Sequence, residues 1–192
     1  MIHQGDTIVN PVTGERIVFL ETSAETNGEL VAFECHVQPN GFVAKPHVHP
    51  SQTELFEILE GSVTFKIDGQ ELHAGPGDRV LVPAGRKHQF WNASGAEASF
   101  RCEVRPALEF ESLVETMFAL AADGKTNRKG MPNPLRLAVI ARAHFDTVRL
   151  PFPPAWMQRT GLLFGAPVGR LAGYRSTYEP KRTARRREVA PA

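Results

Sequence analysis

Residues 1–106 form a series of short runs in which apolar and polar residues alternate, and turns rich in glycine and proline separate the runs. An example is Gly75-Pro76-Gly77, which lies between two apolar runs. Alternation with a period of two is typical of strands with one buried face. The predicted strands cover residues 16–21, 29–37, 55–59, 62–67, 79–82, 88–91 and 98–105. Strands at this regular spacing favour an antiparallel barrel or sandwich over a helical bundle.

The composition of the chain excludes several classes of protein. With 192 residues and a net charge of +1, the chain fits one domain with an appendage, and bulk disorder is not expected. Its two cysteines, Cys35 and Cys102, are too few for a disulfide framework, and we interpret both as free thiols. The sequence shows neither the apolar core of a signal peptide nor an apolar run long enough to span a membrane. We therefore expect a cytoplasmic protein.

The pattern changes after Pro106, where apolar residues recur at helical intervals. The spacing predicts helices over residues 108–121 and 134–144, and a third from about residue 153 to about residue 164. From residue 175 onward the chain is basic and lacks apolar periodicity, which predicts a disordered tail. The predicted units are a barrel over residues 1–106, a helical extension packed on it over residues 107–174, and the tail over residues 175–192.

Three histidines and a glutamate have the spacing of metal ligands. On a strand, His47 and His49 point to the same face, so both imidazoles can reach one ion. Glu54 begins the next extended segment, and His88 begins another one just after a turn. Three imidazoles and one carboxylate suit a divalent ion of iron, manganese, nickel, cobalt or zinc. Four ligands around an octahedral ion leave two positions for other molecules.

Two stretches that contain these residues resemble the signature motifs of the cupin superfamily. Residues 41–61 read GFVAKPHVHPSQTELFEILEG, and residues 77–92 read GDRVLVPAGRKHQFWN. All the positions of both patterns are filled, as in small single-domain bacterial cupins. The resemblance implies an RmlC-like jelly roll over residues 1–106, with one divalent metal inside it. The residues at the ligand positions of the cupin motifs are His47, His49, Glu54 and His88, so the resemblance implies that these four bind the metal. It also implies a homodimer.

The remaining polar residues have simpler interpretations. We expect His3, His36, His73 and His144 to be surface or hydrogen-bonded residues, and the motif glycines to shape turns. An apolar pocket is expected around the ion, lined by one of several inward-facing sets of side chains. The candidate sets contain Phe56 and Ile58, Phe90, the row Val63, Phe65 and Ile67, and the row Phe100, Cys102 and Val104.

The cupin fold hosts many chemistries, so the resemblance alone does not assign a reaction. The leading hypothesis is a metal-dependent enzyme that acts on a small organic molecule by dioxygenase-type oxidation, with Glu54 as both ligand and proton acceptor. The alternatives are a non-catalytic binder or sensor and a metal-dependent isomerase or cyclase. A third class is a structural or interaction protein that acts through the helical extension. We expect the apolar stripe of the extension to pack on its own barrel, and a dimer interface or a membrane-surface contact is the alternative. No helix-turn-helix pattern accompanies the basic tail, so we expect no nucleic-acid partner.

Overall fold

The computed structural model describes residues 2–43, 45–179 and 186–187, in which the chain forms eleven strands and three helices. The strands are β1 Asp6–Asn10, β2 Glu15–Glu21, β3 Val31–Val37, β4 His47–Val48, β5 Thr53–Glu60, β6 Val63–Ile67, β7 Gln70–Ala74, β8 Arg79–Val82, β9 Lys87–Trp91, β10 Ala98–Arg105 and β11 Arg186–Arg187. The helices are α1 Phe110–Ala122, α2 Pro134–Ala143 and α3 Ala155–Leu171.

The strands form two antiparallel sheets. One sheet has the order β11-β1-β2-β3-β10-β5-β8, and the other has the order β4-β9-β6-β7. The hairpin predicted near the start of the chain is formed by β2 and β3, which place Phe19 opposite Phe33. These sheets and the helices after them confirm the prediction of a mainly β, jelly-roll chain with a helical C-terminal extension.

The hydrophobic core lies between the two sheets. Along β5 the residues Glu54, Phe56 and Ile58 are buried, while the residues between them are more exposed. The ring of Phe56 lies 5.0 Å from that of Phe65 in the other sheet and 5.3 Å from that of Phe100. Burying one such side chain contributes about 1.5–3 kcal/mol. The alternation that buries two apolar residues therefore also turns the Glu54 carboxyl inward.

Among the described residues, four strands lie outside the ranges predicted from the sequence: β1, β7 and the two-residue strands β4 and β11. β7 is the edge strand of the smaller sheet, and Leu72 within it is 46% exposed. Four of its five residues are exposed, so no alternation of buried and exposed positions marks it. β1 is short and begins and ends with polar residues, Asp6 and Asn10.

The first two helices lie close to their predicted positions, but the predicted end of the third helix is wrong. α3 does not end near Phe164 and continues through Pro167 to Leu171. The last turns are held by packing against α2, because a Cβ atom on Gly169 would lie 2.5 Å from the Leu135 carbonyl oxygen. Pro167 and Gly169, which have low intrinsic helix propensity, therefore lie inside a helix that tertiary contact stabilises.

The helical extension is tied to the barrel near the start of β5. Val48 and Arg149 exchange two backbone hydrogen bonds, of 2.9 and 3.0 Å. The Gln52 amide donates to the carbonyl oxygens of Pro106 and Ala107 at 2.9 and 2.8 Å. The Phe110 ring of α1 also stacks on a core ring at 5.5 Å. The extension thus packs against the barrel through both backbone and side-chain contacts.

The chain beyond residue 174 is in part structured. The Tyr178 hydroxyl donates to Asp123 at 2.6 Å, and its backbone N–H donates to Thr116 on α1 at 3.2 Å. Residues 186–187 form β11, which pairs with β1. The sequence predicted disorder from residue 175 onward, whereas these described residues beyond it make defined contacts. Residues 180–185 and 188–192 lie outside the described residues, so disorder there stays a prediction.

One face of α3 and the segment before it expose large apolar side chains. These are Phe152, Trp156, Met157, Leu163, Phe164, Val168 and Leu171. Among the described residues, none of the helices is both long enough and apolar enough to cross a membrane.

Two glycines of α3 provide a matched test of the contact between α2 and α3. We expect Gly169→Ala to lower the free energy of unfolding by about 1–3 kcal/mol, because the new methyl overlaps Leu135 and Val139. Gly161→Ala meets nothing within 4 Å, so it should raise stability by up to about 1 kcal/mol through helix propensity. Urea unfolding of both variants measures the difference. Equal effects would contradict the packing described here.

Candidate metal centre

The four predicted ligands come from three places in the barrel that the fold brings together. His47 lies on β4, directly opposite His88 at the start of β9, and His49 follows β4 immediately. Glu54 lies near the start of β5 in the other sheet. One ligand atom from each of the four residues lies within 4.8 Å of those of the other three. Their role as metal ligands stays a prediction, and the geometry meets its first requirement.

The glycines that bound the first motif occupy positions where a side chain does not fit. A Cβ atom on Gly41 would lie 2.8 Å from the Gln38 carbonyl oxygen. Gly61 has a φ of +71°, and a Cβ atom there would lie 2.8 Å from the Glu97 carbonyl oxygen. Both residues therefore shape the backbone at the ends of the stretch that carries His47, His49 and Glu54.

Each imidazole is oriented by a backbone carbonyl at its outer nitrogen. The Nδ1 atoms of His47, His49 and His88 lie 2.8, 2.6 and 3.1 Å from the carbonyl oxygens of Lys45, Thr147 and Arg86, respectively. A carbonyl can only accept, so the Nδ1 atom carries the proton and the Nε2 lone pair is left for a ligand bond. The carbonyl on His49 comes from the helical extension, 98 residues along the chain.

Three buried atoms at the centre of the cluster have no hydrogen-bond partner among the described residues. They are the Nε2 atoms of His49 and His88 and the Oε2 atom of Glu54. The Nε2 atom of His88 lies 2.7 Å from that Oε2 atom, but the contact is not aligned as a hydrogen bond. An unsatisfied buried polar atom costs about 1–3 kcal/mol. A divalent cation bound between these atoms would satisfy all three, so the residues present fit a metal.

The protonation states also suit a cation. Burial and the neighbouring imidazoles lower the pKa of His47 to about 3, so it is neutral and able to ligate. Burial by itself raises the pKa of Glu54, but the neighbouring imidazoles of His49 and His88 outweigh it, and the pKa falls to about 2. Burial lowers the pKa of His88, yet its contact with Glu54 outweighs burial and the pKa is raised. A cation would take the place of the proton that Glu54 draws to His88.

A cavity of about 540 Å³ adjoins the cluster and extends from the barrel interior to the helical extension. His47, His49 and Glu54 are among its lining residues. Of the predicted pocket residues, Phe56, Phe90 and Phe100 line this cavity; Ile58, Val63, Phe65, Ile67, Cys102 and Val104 do not. The extension supplies much of the remaining wall, including Phe110, Val114, Leu137, Ile140 and Met157. The cavity is therefore apolar, and both parts of the chain enclose it.

The sequence did not predict two of the residues that line the cavity, Glu15 and His144. Glu15 is the first residue of β2 and is buried, whereas the predicted strand begins one residue later. His144 is also buried, and burial lowers its pKa, although Glu109 and the Ser176 backbone raise it. Neither ring nitrogen of His144 makes a hydrogen bond within the described part of the chain. The alternation along β2 could have identified Glu15, because it lies on the same buried face as Ile17 and Phe19.

A known family model matches the part of the chain that contains the four clustered residues. Residues 33–103 match the family model of the cupin domain. The chain contains a cupin domain. The matched region includes all four residues of the cluster, and it leaves the helical extension outside.

Curated relatives of this cupin differ in how much of their length it covers. It is 33% identical over 87 residues to quercetin 2,3-dioxygenase of Bacillus subtilis, which is 45% of this chain and 25% of that protein. It is 26% identical over 173 residues to the probable oxidoreductase virH of Hypocrea virens, which is 80% of this chain and 77% of that protein. Oxidoreductase iacF of Pestalotiopsis fici is 24% identical over 161 residues, with shares of 76% and 79%.

Solved structures resemble about half of this cupin. A protein described as a predicted oxalate decarboxylase of Thermotoga maritima gives a TM-score of 0.49 at 16% identity, over 55% of this chain and 98% of that chain. The polyketide cyclase RemF of Streptomyces resistomycificus gives a TM-score of 0.46 at 24% identity, over 55% and 78%.

Metal binding is expected to stabilise the fold through this cluster. A cation present at 100 times its Kd should raise the free energy of unfolding by about 2.7 kcal/mol. Thermal unfolding with and without added zinc or cobalt measures this effect. His88→Ala should abolish the shift, whereas the control His73→Ala, which changes an exposed histidine on β7, should retain it. A shift that survives His88→Ala would place the cation elsewhere.

Glu15 is expected to make stability depend on pH. Burial raises its pKa from 4.5 to about 7, although the hydrogen bond from Thr13 opposes this. The charged form is therefore disfavoured in the fold, and stability is lost as the pH rises from about 4.5 through about 7. Glu15→Gln should remove this loss and be more stable than the wild type above pH 7, by about 3 kcal/mol.

Urea unfolding between pH 4 and pH 9 tests this dependence. Ile17→Val is the control, because it alters the next inward residue of β2 without removing a titratable group. Its cost should stay constant across the range. A difference between Glu15→Gln and the wild type that is the same at pH 4 and pH 9 would contradict the prediction.

Proposed function

We propose that this cupin is a metal-dependent enzyme that oxidises a small, largely apolar organic molecule by dioxygenase-type chemistry. The observation that carries the proposal is the convergence of three imidazoles and one carboxylate at the wall of an apolar cavity. The names of the curated relatives, a dioxygenase and two oxidoreductases, support oxidation as the reaction type.

His47, His49, Glu54 and His88 would hold the metal. When bound, an ion of iron, manganese, nickel or cobalt supplies a Lewis acid and redox chemistry, whereas zinc supplies only the former. The carbonyl oxygens on the Nδ1 atoms hold the three rings in place, so little side-chain freedom would be lost when the ion binds.

Glu54 is proposed both as a ligand and as a proton acceptor. Its side chain is 6% exposed, and it is the one carboxylate of the cluster, so it brings the only negative charge to the four ligands. A pKa of about 2 keeps it ionised at neutral pH but makes it a weak base. As a proton acceptor it therefore requires a donor whose own pKa is low.

The cavity wall would orient the substrate and exclude water. Phe110 lies 5.9 Å from the His49 ring and stacks on Phe33, so α1 places an aromatic surface beside the ligands. An apolar wall strengthens the electrostatic interactions at the metal because the local dielectric constant is low. A substrate that fills the cavity would displace water from the same wall, which protects reactive species from side reactions.

Oxygen consumption tests the reaction directly. Protein loaded separately with iron, manganese, nickel and cobalt is assayed with an oxygen electrode against quercetin, simple phenols and 1,3-diketones. We expect uptake with at least one pair of metal and substrate, and a loss of roughly a hundredfold in Glu54→Gln. The control Glu57→Gln alters an outward-facing carboxylate of the same strand and should retain activity.

Binding of these compounds without oxygen uptake by any of the loaded proteins would overturn the oxidative reaction. It would favour the non-catalytic binder or sensor, which the apolar lining of the cavity also suits. Conversion of a compound in the absence of oxygen would favour the isomerase or cyclase, since those reactions require a Lewis acid but no oxidant.

We further propose that the protein is a homodimer in the cytoplasm and binds no nucleic acid. The exposed apolar residues of α3, such as Trp156 and Phe164, support an interface between two copies. Light scattering of the purified protein measures the oligomeric state.

A further inference from the structure

Glu15 places a second carboxyl in the cavity, and the metal centre does not use it. Along β2 it shares the buried face of Ile17 and Phe19, which turns its side chain into the barrel. Glu15 and Ile17 both line the cavity that adjoins the metal ligands, and Glu15 is 7% exposed.

The contacts of Glu15 do not require an acid. The Thr13 hydroxyl donates to Oε2 at 2.7 Å, and the carbonyl oxygen of a glutamine would accept the same bond. No cation forms an ion pair with Glu15 in the part of the chain that the structure describes. The neighbouring Cys35 is buried, which raises the pKa of its thiol, so this side chain stays uncharged. A buried carboxyl without a cationic partner costs stability, so its presence points to a ligand.

Strand register places Glu15 far from the metal ligands. Glu54 pairs with Val104, which pairs with Val31 at the start of β3. Glu15 instead pairs with Val37, at the other end of β3. Six residues along a strand correspond to a separation of about 20 Å between the backbones of Glu15 and Glu54. The two carboxyls can be closer than this, because each side chain can extend towards the other. Glu15 therefore lies towards the end of the cavity remote from the metal ligands, and a molecule that spans the two carboxyls contains more than one ring.

The wall between the two carboxyls is apolar and rich in aromatic rings. Phe56, Phe90 and Phe100 line this part of the cavity and contact one another at 5.2–6.1 Å. A wall of this kind accepts a flat, apolar body, and the few polar groups then fix its orientation.

We propose that Glu15 is a substrate-binding residue that hydrogen-bonds a neutral hydroxyl or carbonyl oxygen at the end of an elongated aromatic molecule remote from the metal. The inference rests on the proposed function, because it names the substrate class of the same site. Since burial raises the pKa of Glu15 to about 7, its carboxyl can donate as well as accept a hydrogen bond near neutral pH. An anionic group at this end is disfavoured, because it would lie beside a carboxyl in an apolar wall.

Two probes of equal shape isolate this end of the cavity. Zinc-loaded protein is titrated by calorimetry with 4,4′-dihydroxybiphenyl and with 4-hydroxy-4′-methylbiphenyl. Both offer one phenol to the metal, and they differ only in the group at the far end. The wild type should bind the dihydroxy probe about tenfold more tightly, which corresponds to one buried hydrogen bond.

The variants of Glu15 assign that preference to this side chain. Glu15→Met removes the polar group at nearly constant volume and should reduce the preference to less than about twofold. Glu15→Gln keeps a donor and an acceptor and should retain it. If Glu15→Met does not fold, Glu15→Ala takes its place and should reduce the preference to the same extent. The control Ile58→Val alters a buried core residue that does not line the cavity and should keep the preference.

Three results would overturn the proposal: a tenfold preference that survives Glu15→Met or Glu15→Ala, equal binding of both probes by the wild type, or binding of neither. Because zinc is redox-inert, these titrations do not depend on oxygen chemistry. Failure of the oxygen assay with confirmed probe binding would therefore remove the oxidative reaction and leave the role of Glu15 intact.

Discussion

The hydrogen bonds from three imidazole Nδ1 atoms to backbone carbonyl oxygens determine what the centre of this protein can do. Each bond fixes the tautomer and the rotation of one ring, and the Nε2 atoms of His49 and His88 face the Glu54 carboxylate at 3.6 and 2.7 Å. The carbonyls belong to the segment before β4, to the turn before β9 and to the helical extension. The geometry of the cluster therefore depends on closure of the barrel and on docking of the extension, although all four side chains belong to the barrel.

The cavity beside this cluster shows how one apolar environment gives two carboxyls opposite properties. Burial disfavours the ionised form of both Glu15 and Glu54. Around Glu54 the imidazoles outweigh burial, and the carboxyl is strongly ionised. Around Glu15 only the Thr13 hydroxyl opposes burial, and the pKa rises. The charge at one end suits a cation, and the neutral acid at the other suits an uncharged oxygen, so a ligand has a defined direction in the cavity.

Much of the cluster was predictable from the sequence because its determinants are local. His47 and His49 lie two residues apart, Glu54 begins the next strand, and turn residues bound each segment. The contacts that the sequence did not predict involve residues distant in the chain. The hydrogen bond between Thr147 and His49 joins positions 98 residues apart, and no periodic pattern in the sequence predicts it. Likewise, α3 continues past its glycines because Gly169 packs against Leu135, which local propensity does not reveal.

The bond between His49 and Thr147 also has a thermodynamic consequence. It couples the site that holds the cation to the segment that closes the cavity, and such coupling is reciprocal. A cation that orders His49 favours the docked position of the extension. A molecule enclosed by α1 and α2 in turn favours retention of the cation. Metal binding and substrate enclosure would then each increase the affinity of the protein for the other partner.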